Sequence, residues 1–485
     1  MPVPKYAWSA ADQFLARAEE LARLEAWWSK PDAEPINLYG RRRVGKSWLF
    51  RKFAHGKAAV VLVAEQTTPA AQFSRIAEQL EPKLGVKPDI ADVATLFRIL
   101  YQLAATHKTL VVVDEFPYLL GSTKTQTSRA LSSIQAVMEQ HRDDSKLKLI
   151  LCGSAVAQME DLQAERNPLH GRLQAFALKP LPFAEARTFM PTLTPVDQFT
   201  RFSIAGGMPR YLLALASGDL AKTLATEVVD RFSPLFNEPL SVLQAEVREP
   251  TVYLAILEQL AGNPLGIGTI SARTGTTASA LSPYLENLQV LGLVRRRDPI
   301  GAARNARAGQ WLCDDGFIRF WFRFVHPYQA DLEAGADPLA HVRNHIIPYL
   351  PDHTSLPFED VLRRSIRQDY PQAPNVGAWW GPALNAQRQA KLRFTEEIDA
   401  VGVKGKNVLV VGEAKWTNKD LPFDVLTDLQ QFKIPALAQA GWTISKDVQI
   451  ILGSKNGFTK AVTQAAAEDK SIHLLTAQEL LVRAL

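Results

Sequence analysis

From Ile36 to about Pro180, short apolar runs rich in β-formers alternate with segments of helical periodicity. The runs are Ile36 to Tyr39, Ala58 to Val63, Thr109 to Val113, Lys148 to Cys152 and Ala175 to Leu178. Continuous apolar strands separated by helices predict an α/β domain with a parallel sheet covered on both faces, although the pattern gives no strand order. From Pro182 to about Ala245 the reading becomes mainly helical. Gly206-Gly207-Met208-Pro209 interrupts it as a turn between helices of a small lid or extension.

Between Thr251 and Asp298 the pattern is helix, short helix, long helix and brief strand. Tyr253, Leu254, Leu257 and Leu260 line the first helix, Gly268 to Thr274 gives the second, and Leu281, Tyr284, Leu285, Leu288 and Leu291 line the third. The run Gly292 to Arg297 reads as the strand of a wing, so the segment predicts a winged helix-turn-helix. Phe317, Phe320, Trp321 and Phe324 then share a helical face, an aromatic stripe expected in a core. Asp331 to Pro338 reads as an interdomain linker. From about Leu356 the order is helix, three strands (Ala390 to Phe394, Glu397 to Val403, Asn407 to Ala414), a helix near Pro422 to Ala440, a strand at Val448 to Leu452 and a helix, an α+β nucleus. The expected organisation is 1–180, an α/β core; 181–245, a helical extension; 246–330, a winged helix; and 340–485, an α+β domain.

A chain of 485 residues with 47% hydrophobic and 22% charged positions is folded rather than disordered or fibrous. Its net charge of +5 permits a nucleic-acid partner without demonstrating one. Two cysteines, Cys152 and Cys313, cannot make a disulfide framework and point to a reducing compartment. Met1 to Ala10 contain no signal-like apolar run, and no stretch of about 18 apolar residues occurs, so a soluble cytoplasmic protein without a membrane segment is expected. An oligomer is compatible with the sequence and not specified by it.

The chemistry concentrates first at Gly40-Arg41-Arg42-Arg43-Val44-Gly45-Lys46-Ser47, which fits G-x-x-x-x-G-K-[ST] between a predicted strand and a predicted helix. Glycines let successive backbone N–H groups curl around phosphate oxygens, and the helix N-terminus adds its positive dipole end. Lys46 would neutralise the β and γ phosphates of ATP and Ser47 would hold Mg²⁺; Trp48, the next residue, counts with the nucleotide-binding set. The strand Leu110 to Val113 runs into Asp114-Glu115, the pattern of a Walker B strand, with Asp114 ordering the Mg²⁺ shell and Glu115 polarising the attacking water. Gly153-Ser154 ends the next strand at a sensor-like position or a simple turn. Arg172 either approaches developing charge on the phosphate or makes a surface salt bridge.

With Phe14 to Leu21 and the Gly-Gly-Met-Pro turn, these motifs resemble the archaeal-type ATPase family, STAND-class relatives of AAA+ enzymes, many with a C-terminal nuclease-like domain. The resemblance implies that Phe14 and Arg17 lie near the adenine, that a winged helix follows the ATPase core, and that ATP state switches the domain arrangement. Ala155 departs from relatives that carry a second serine after Gly-Ser.

A second cluster lies near the C-terminus. Asp399 is 14 residues upstream of Glu413, Lys415 follows two residues later on the same strand face, and Glu359 precedes them on a helix opened by Pro357. Asp399 and Glu413 could share Mg²⁺ while Lys415 stabilises charge on a phosphorane, an arrangement that looks like the PD-(D/E)xK nuclease core. A degenerate core kept for packing or binding is the other reading. Arg295, Arg296 and Arg297, with Arg304 and Arg307, would either touch DNA phosphates or be solvated on a protein-docking wing. The expected function is a Mg²⁺-dependent ATPase whose nucleotide state controls a DNA-binding, nuclease-like region. The alternative is an ATP-dependent signalling switch with an inactive C-terminal interaction domain.

Overall fold

The computed structural model describes residues 3–247, 249–303, 306–390 and 394–483, which form two compact units. The first comprises Met1–Leu181 with Met208–Arg210. Its five strands are β1 (Ile36–Tyr39), β2 (Ala59–Val63), β3 (Thr109–Asp114), β4 (Leu147–Gly153) and β5 (Gln174–Ala177), all parallel in the order β2-β3-β4-β1-β5. β1 and β3 are buried throughout, as all-apolar strands between helical layers must be. The register pairs Tyr39 with Gly153 and Val113 with Leu151, so the loops after β1, β3 and β4 emerge at one sheet edge. The carboxyl ends of adjacent parallel strands are where such folds bind ligands.

The second unit holds Pro182–Gly207 and Tyr211–Leu485. Helices Pro250–Leu260, Ile267–Thr274 and Ala278–Val290 precede an antiparallel pair, β6 (Val294–Arg297) and β7 (Gln310–Cys313), the winged-helix pattern read from the sequence. The aromatic stripe forms helix Gly316–Phe324, buried except for Arg323, with Trp321 Nε1 donating to the Phe236 carbonyl at 2.6 Å. A Cβ at Gly206 would lie 2.7 Å from the Gly316 amide nitrogen, so the left-handed Gly206 also permits the close approach of these two backbones. The stretch 331–338, expected as a linker, lies inside this unit and ends in a Pro-initiated helical turn, Pro338–His341.

A second sheet contains β8 (Asn375–Pro382), β9 (Thr395–Lys404), β10 (Asn407–Lys415), β11 (Thr443–Ser454) and β12 (Ile472–Thr476), in the order β12-β11-β10-β9-β8. β8, β9 and β10 are antiparallel neighbours, whereas β11 and β12 run parallel to β10. Helix Leu350–Asp369 packs Phe358, Leu362 and Ile366 into the same core as Phe183, Phe199 and Trp416, so the 182–207 extension is built into this body. The first strand of the meander is β8 rather than 390–394. Ala390 and Phe394 lie outside any strand, and residues 391–393 lie outside the described residues. Glycines at 377 and 381 and Pro382 disguised the true strand, which is an edge strand that tolerates them.

Candidate functional site

The loop after β1 is shaped by its backbone before any ligand is considered. Gly40 has φ of 157°, and a Cβ there would lie 2.3 Å from the Leu178 carbonyl oxygen; Arg43 and Gly45 have φ of 70° and 101°. These conformations bend the chain into helix Lys46–Ala54. Lys46 is buried, its Nζ donating to the carbonyls of Gly40 at 2.6 Å and Arg41 at 3.1 Å. The ammonium is thereby held on its own loop. Trp48 is 44% exposed and makes an edge-to-face pair with Trp8, the ring centroids 4.9 Å apart.

Ser47 Oγ donates to Asp114 Oδ2 at 3.3 Å, which brings a hydroxyl and a carboxylate from two elements to one point. Both are hard oxygen donors, so the pair suits Mg²⁺, which would complete its shell with phosphate oxygens and water. Burial raises the Asp114 pKa, and the neighbouring Glu115 charge adds to the shift. Cys152 on β4 also hydrogen-bonds Asp114, a contact that no sequence motif announced because the two lie on different strands. Glu115 has φ of 53° and accepts from Ser154 Oγ at 2.8 Å to each carboxylate oxygen, with a 3.3 Å bond from the Ser154 amide. The register of β3 and β4 thus joins these residues into one hydrogen-bonded pair.

Arg17 and Arg172 are both engaged by protein groups. Arg17 is 5% exposed and donates to Glu20 Oε1 (2.7 Å), the Val44 carbonyl (3.0 Å) and the Lys179 carbonyl (2.7 Å). These bonds brace the phosphate loop. Phe14 is half-buried just before Arg17. Arg172 pairs with Glu139 and donates to the carbonyls of Pro168 and His170, which is the surface-salt-bridge arrangement. Arg41 is buried, while Arg42 reaches Tyr118 Oη at 3.5 Å.

The C-terminal cluster assembles across β9 and β10. Ala414 N donates to Asp399 Oδ2 at 2.9 Å, and Lys415 Nζ lies 3.5 Å from Asp399 Oδ2 and 2.8 Å from Glu413 Oε2. Lys433 Nζ takes the other Glu413 oxygen at 2.7 Å. Glu413 is 1% exposed, so both oxygens of this buried carboxylate are committed to ammonium groups. A Mg²⁺ shared by Asp399 and Glu413 would have to displace at least one of these ammonium groups. Among the described residues no three His, Cys, Asp or Glu side chains surround a cation position. Lys433 comes from the helical segment after β10 and was invisible in the sequence because its contact spans 20 residues without a repeating pattern.

Burial opposes the Lys415 charge, but Asp399 and Glu413 outweigh it and push the pKa up. Burial, reinforced by Asp399, raises the Glu359 carboxyl to about 8. A carboxyl that ionises later in the folded chain stabilises it fully below the ordinary carboxylate range, and that stabilisation is lost as pH rises through about 8. Glu359→Gln, which mimics the protonated form, should therefore leave stability nearly unchanged near pH 5 and raise it near pH 8.5 by on the order of a few kcal/mol, seen as a higher melting temperature at that pH only. Melts at both pH values check this; an equal effect at both would contradict it.

Family comparisons match three segments of the chain. Residues 14–215 match the model of an ATPase domain predominantly from Archaea. This segment is an ATPase domain of the archaeal type. The ATPase domain is followed at 252–298 by a match to the IclR helix-turn-helix domain, and residues 321–426 match Archaea bacterial proteins of unknown function. An uncharacterized protein of Methanocaldococcus jannaschii is 28% identical over 417 residues, 84% of this chain and 88% of the relative. An uncharacterized ATP-binding protein of that organism is 52% identical over 44 residues, 9% of this chain and 75% of its own. A Walker-type ATPase of Pyrococcus abyssi shares the fold with a TM-score of 0.51 at 19% identity, covering 66% of this chain and 98% of that one. The chain thus joins an ATPase domain to a winged helix of a DNA-binding type. No helix among the described residues is long and apolar enough to cross a membrane.

The arginines of the wing are engaged. Arg295 bridges Asp314 at 2.6 Å and Asp360 at 2.7 Å; Arg296 bridges Asp298 at 3.1 Å and donates to the Ala306 carbonyl. Arg297 bridges Glu397 at 2.9 Å and lies 4.7 Å from the Trp380 ring centroid. Ile300 N donates to the Ala378 carbonyl at 2.8 Å, so the wing covers the edge strand β8. Neither sequence alternative, phosphate contact or solvated arginines, describes this packing. Arg304 lies outside the described residues.

Proposed function

We propose that the protein is a Mg²⁺-dependent ATPase whose nucleotide state controls a DNA-binding, nuclease-like C-terminal region. The observation that carries this reading is the phosphate loop, with buried Lys46 and the Ser47–Asp114 pair beside Glu115 and Ser154. In the bound state Lys46 and the loop amides would hold the triphosphate, and a Mg²⁺ ion would supply charge neutralisation. Ser47 and Asp114 would hold that ion, Glu115 would accept a proton from the attacking water, and Ser154 keeps the Glu115 carboxylate aimed. Arg17 positions the loop through the Val44 carbonyl.

For the C-terminal region the strand order and the convergence of Asp399, Glu413 and Lys415 support a nuclease-like core. A second reading, a signalling switch with a catalytically inactive interaction domain, is favoured by the two ammonium groups on Glu413. Plasmid cleavage with Mg²⁺ or Mn²⁺, with and without ATP, separates them. Cleavage lost in Glu413→Ala supports the nuclease reading; absence of cleavage under every condition supports the switch.

DNA binding has its own measurement. Anisotropy of a labelled duplex at several salt concentrations should give log affinity falling with log salt at a slope near −2 to −3, corresponding to roughly two or three phosphates released from counterions. A slope near zero would remove DNA from the proposed function.

A further inference from the structure

Arg319 is an anomaly of charge. It lies on the aromatic helix Gly316–Phe324, is 5% exposed, and makes one hydrogen bond, from Nη2 to the His353 carbonyl at 2.8 Å. Its Nε is buried without a partner, and among the described residues no carboxylate pairs with it. Buried arginines are ordinarily neutralised, because an isolated guanidinium in a low-dielectric interior is unfavourable.

The surroundings sharpen the anomaly. Arg319 lines a cavity of about 230 Å³ whose wall also holds His353, Asn263 and the carboxylates Asp352, Glu359, Glu397 and Asp399. The other cations on its wall are committed: Arg297 to Glu397, Arg323 to Asp352 at 3.4 Å, and Lys433 to Glu413. Arg319 is the cation left over. His353 carries the complementary deficit. Its Nε2 meets the Ser203 carbonyl at 2.9 Å, where only an N–H can donate, so Nδ1 bears a lone pair, and that atom is buried without a partner. Burial, with Arg319 next in effect, holds His353 well below its usual pKa and keeps it neutral.

We infer that this cavity is a binding site for a phosphate group, with Arg319 as its principal cation and the neutral His353 as an acceptor. A hydrogen phosphate or phosphate monoester offers what both side chains lack: oxygens to accept from Arg319, and, when singly protonated, an O–H to donate to His353 Nδ1. Sulfate matches the first requirement and not the second. Asn263 adds an uncharged donor on the wall, whereas the Ser355 hydroxyl is already given to the Pro351 carbonyl at 3.1 Å. The site is distinct from the phosphate loop and stands whether or not the nearby Asp399 cluster cleaves DNA.

The test uses the full chain carrying Lys46→Ala, which silences the phosphate loop as a competing site. Melting in phosphate and in chloride at equal ionic strength and pH 7 should show a phosphate-dependent rise that sulfate reproduces only in part. Adding Arg319→Met, similar in length and apolar, should abolish that rise and leave the melt in chloride at or above the parent's, because an unneutralised interior charge has gone. A parent with no phosphate-dependent rise, or an Arg319→Met chain that retains it, overturns the site. Should Arg319→Met fail to fold, Arg319→Lys with ³¹P line broadening of inorganic phosphate gives the second reading: a weakening of about tenfold or more supports the site, and unchanged affinity overturns it. A 5′-phosphorylated oligodeoxynucleotide that displaces inorganic phosphate assigns the group to a nucleic-acid end. Failure to displace assigns it to a free phosphate.

Discussion

Lys46→Ala is expected to weaken ATP binding by about a hundredfold or more, measured by calorimetry in Mg²⁺. Its ammonium is buried and held 2.6 Å and 3.1 Å from two carbonyls of its own loop, so it already occupies the concavity a triphosphate would fill. In such a partly desolvated site an ion pair with phosphate is worth several times its value in water. A loss of about 3 kcal/mol corresponds to roughly a hundredfold in affinity. The substitution also leaves the Gly40 and Arg41 carbonyls without their donor, so a modest fall in melting temperature is expected with it. Wild-type affinity in the variant would remove the phosphate loop from the nucleotide site, and with it the ATPase reading.

Glu115→Gln should separate binding from turnover. The side chain is isosteric and the Ser154 hydroxyl can still donate to its remaining carbonyl oxygen, so ATP affinity should stay within a few-fold. What disappears is the base: an amide cannot take a proton from water. General-base contributions of about 10² to 10⁴ predict kcat lowered by that range with little change in KM. Ser154→Ala is the informative companion. It leaves the carboxylate in place and removes both 2.8 Å contacts, so a smaller loss of kcat with unchanged ATP affinity is expected if Ser154 acts by aiming Glu115. Unimpaired hydrolysis by Glu115→Gln would show that another group activates the water.

The left-handed conformation of Glu115 ties these two expectations to the fold. A non-glycine residue at φ of 53° is sparsely populated and persists where its surroundings hold it. Here the surroundings are the buried end of β3 on one side and Ser154 on the other. Arg17, also left-handed at 64°, plays a comparable part behind the loop.

Much of the first unit was readable in the sequence because its signals are local. β1 falls where the apolar run Ile36–Tyr39 placed it, and the Gly-Lys-Ser loop needs only neighbouring residues to define its curvature. The three helices of the winged helix and the aromatic core helix follow from periodicity in the same way. Failures came where a residue answers to distant partners. β8 was missed because glycines, acceptable on an edge strand, resemble a turn. Lys433 and Arg319 carried no spacing signal, since their environments are made by helices and strands far apart in the chain.

The wing shows the division most clearly. The sequence establishes three consecutive arginines on a strand, hence their charge and their alternation across its two faces. Folding alone decides that Arg295 meets Asp360 and Arg297 meets Glu397 and Trp380. Hydrogen-bonding periodicity and steric limits on the backbone act over a few residues and are therefore written in order along the chain. Neutralisation and desolvation depend on which side chains are brought within a few ångströms, and only the packed structure supplies that.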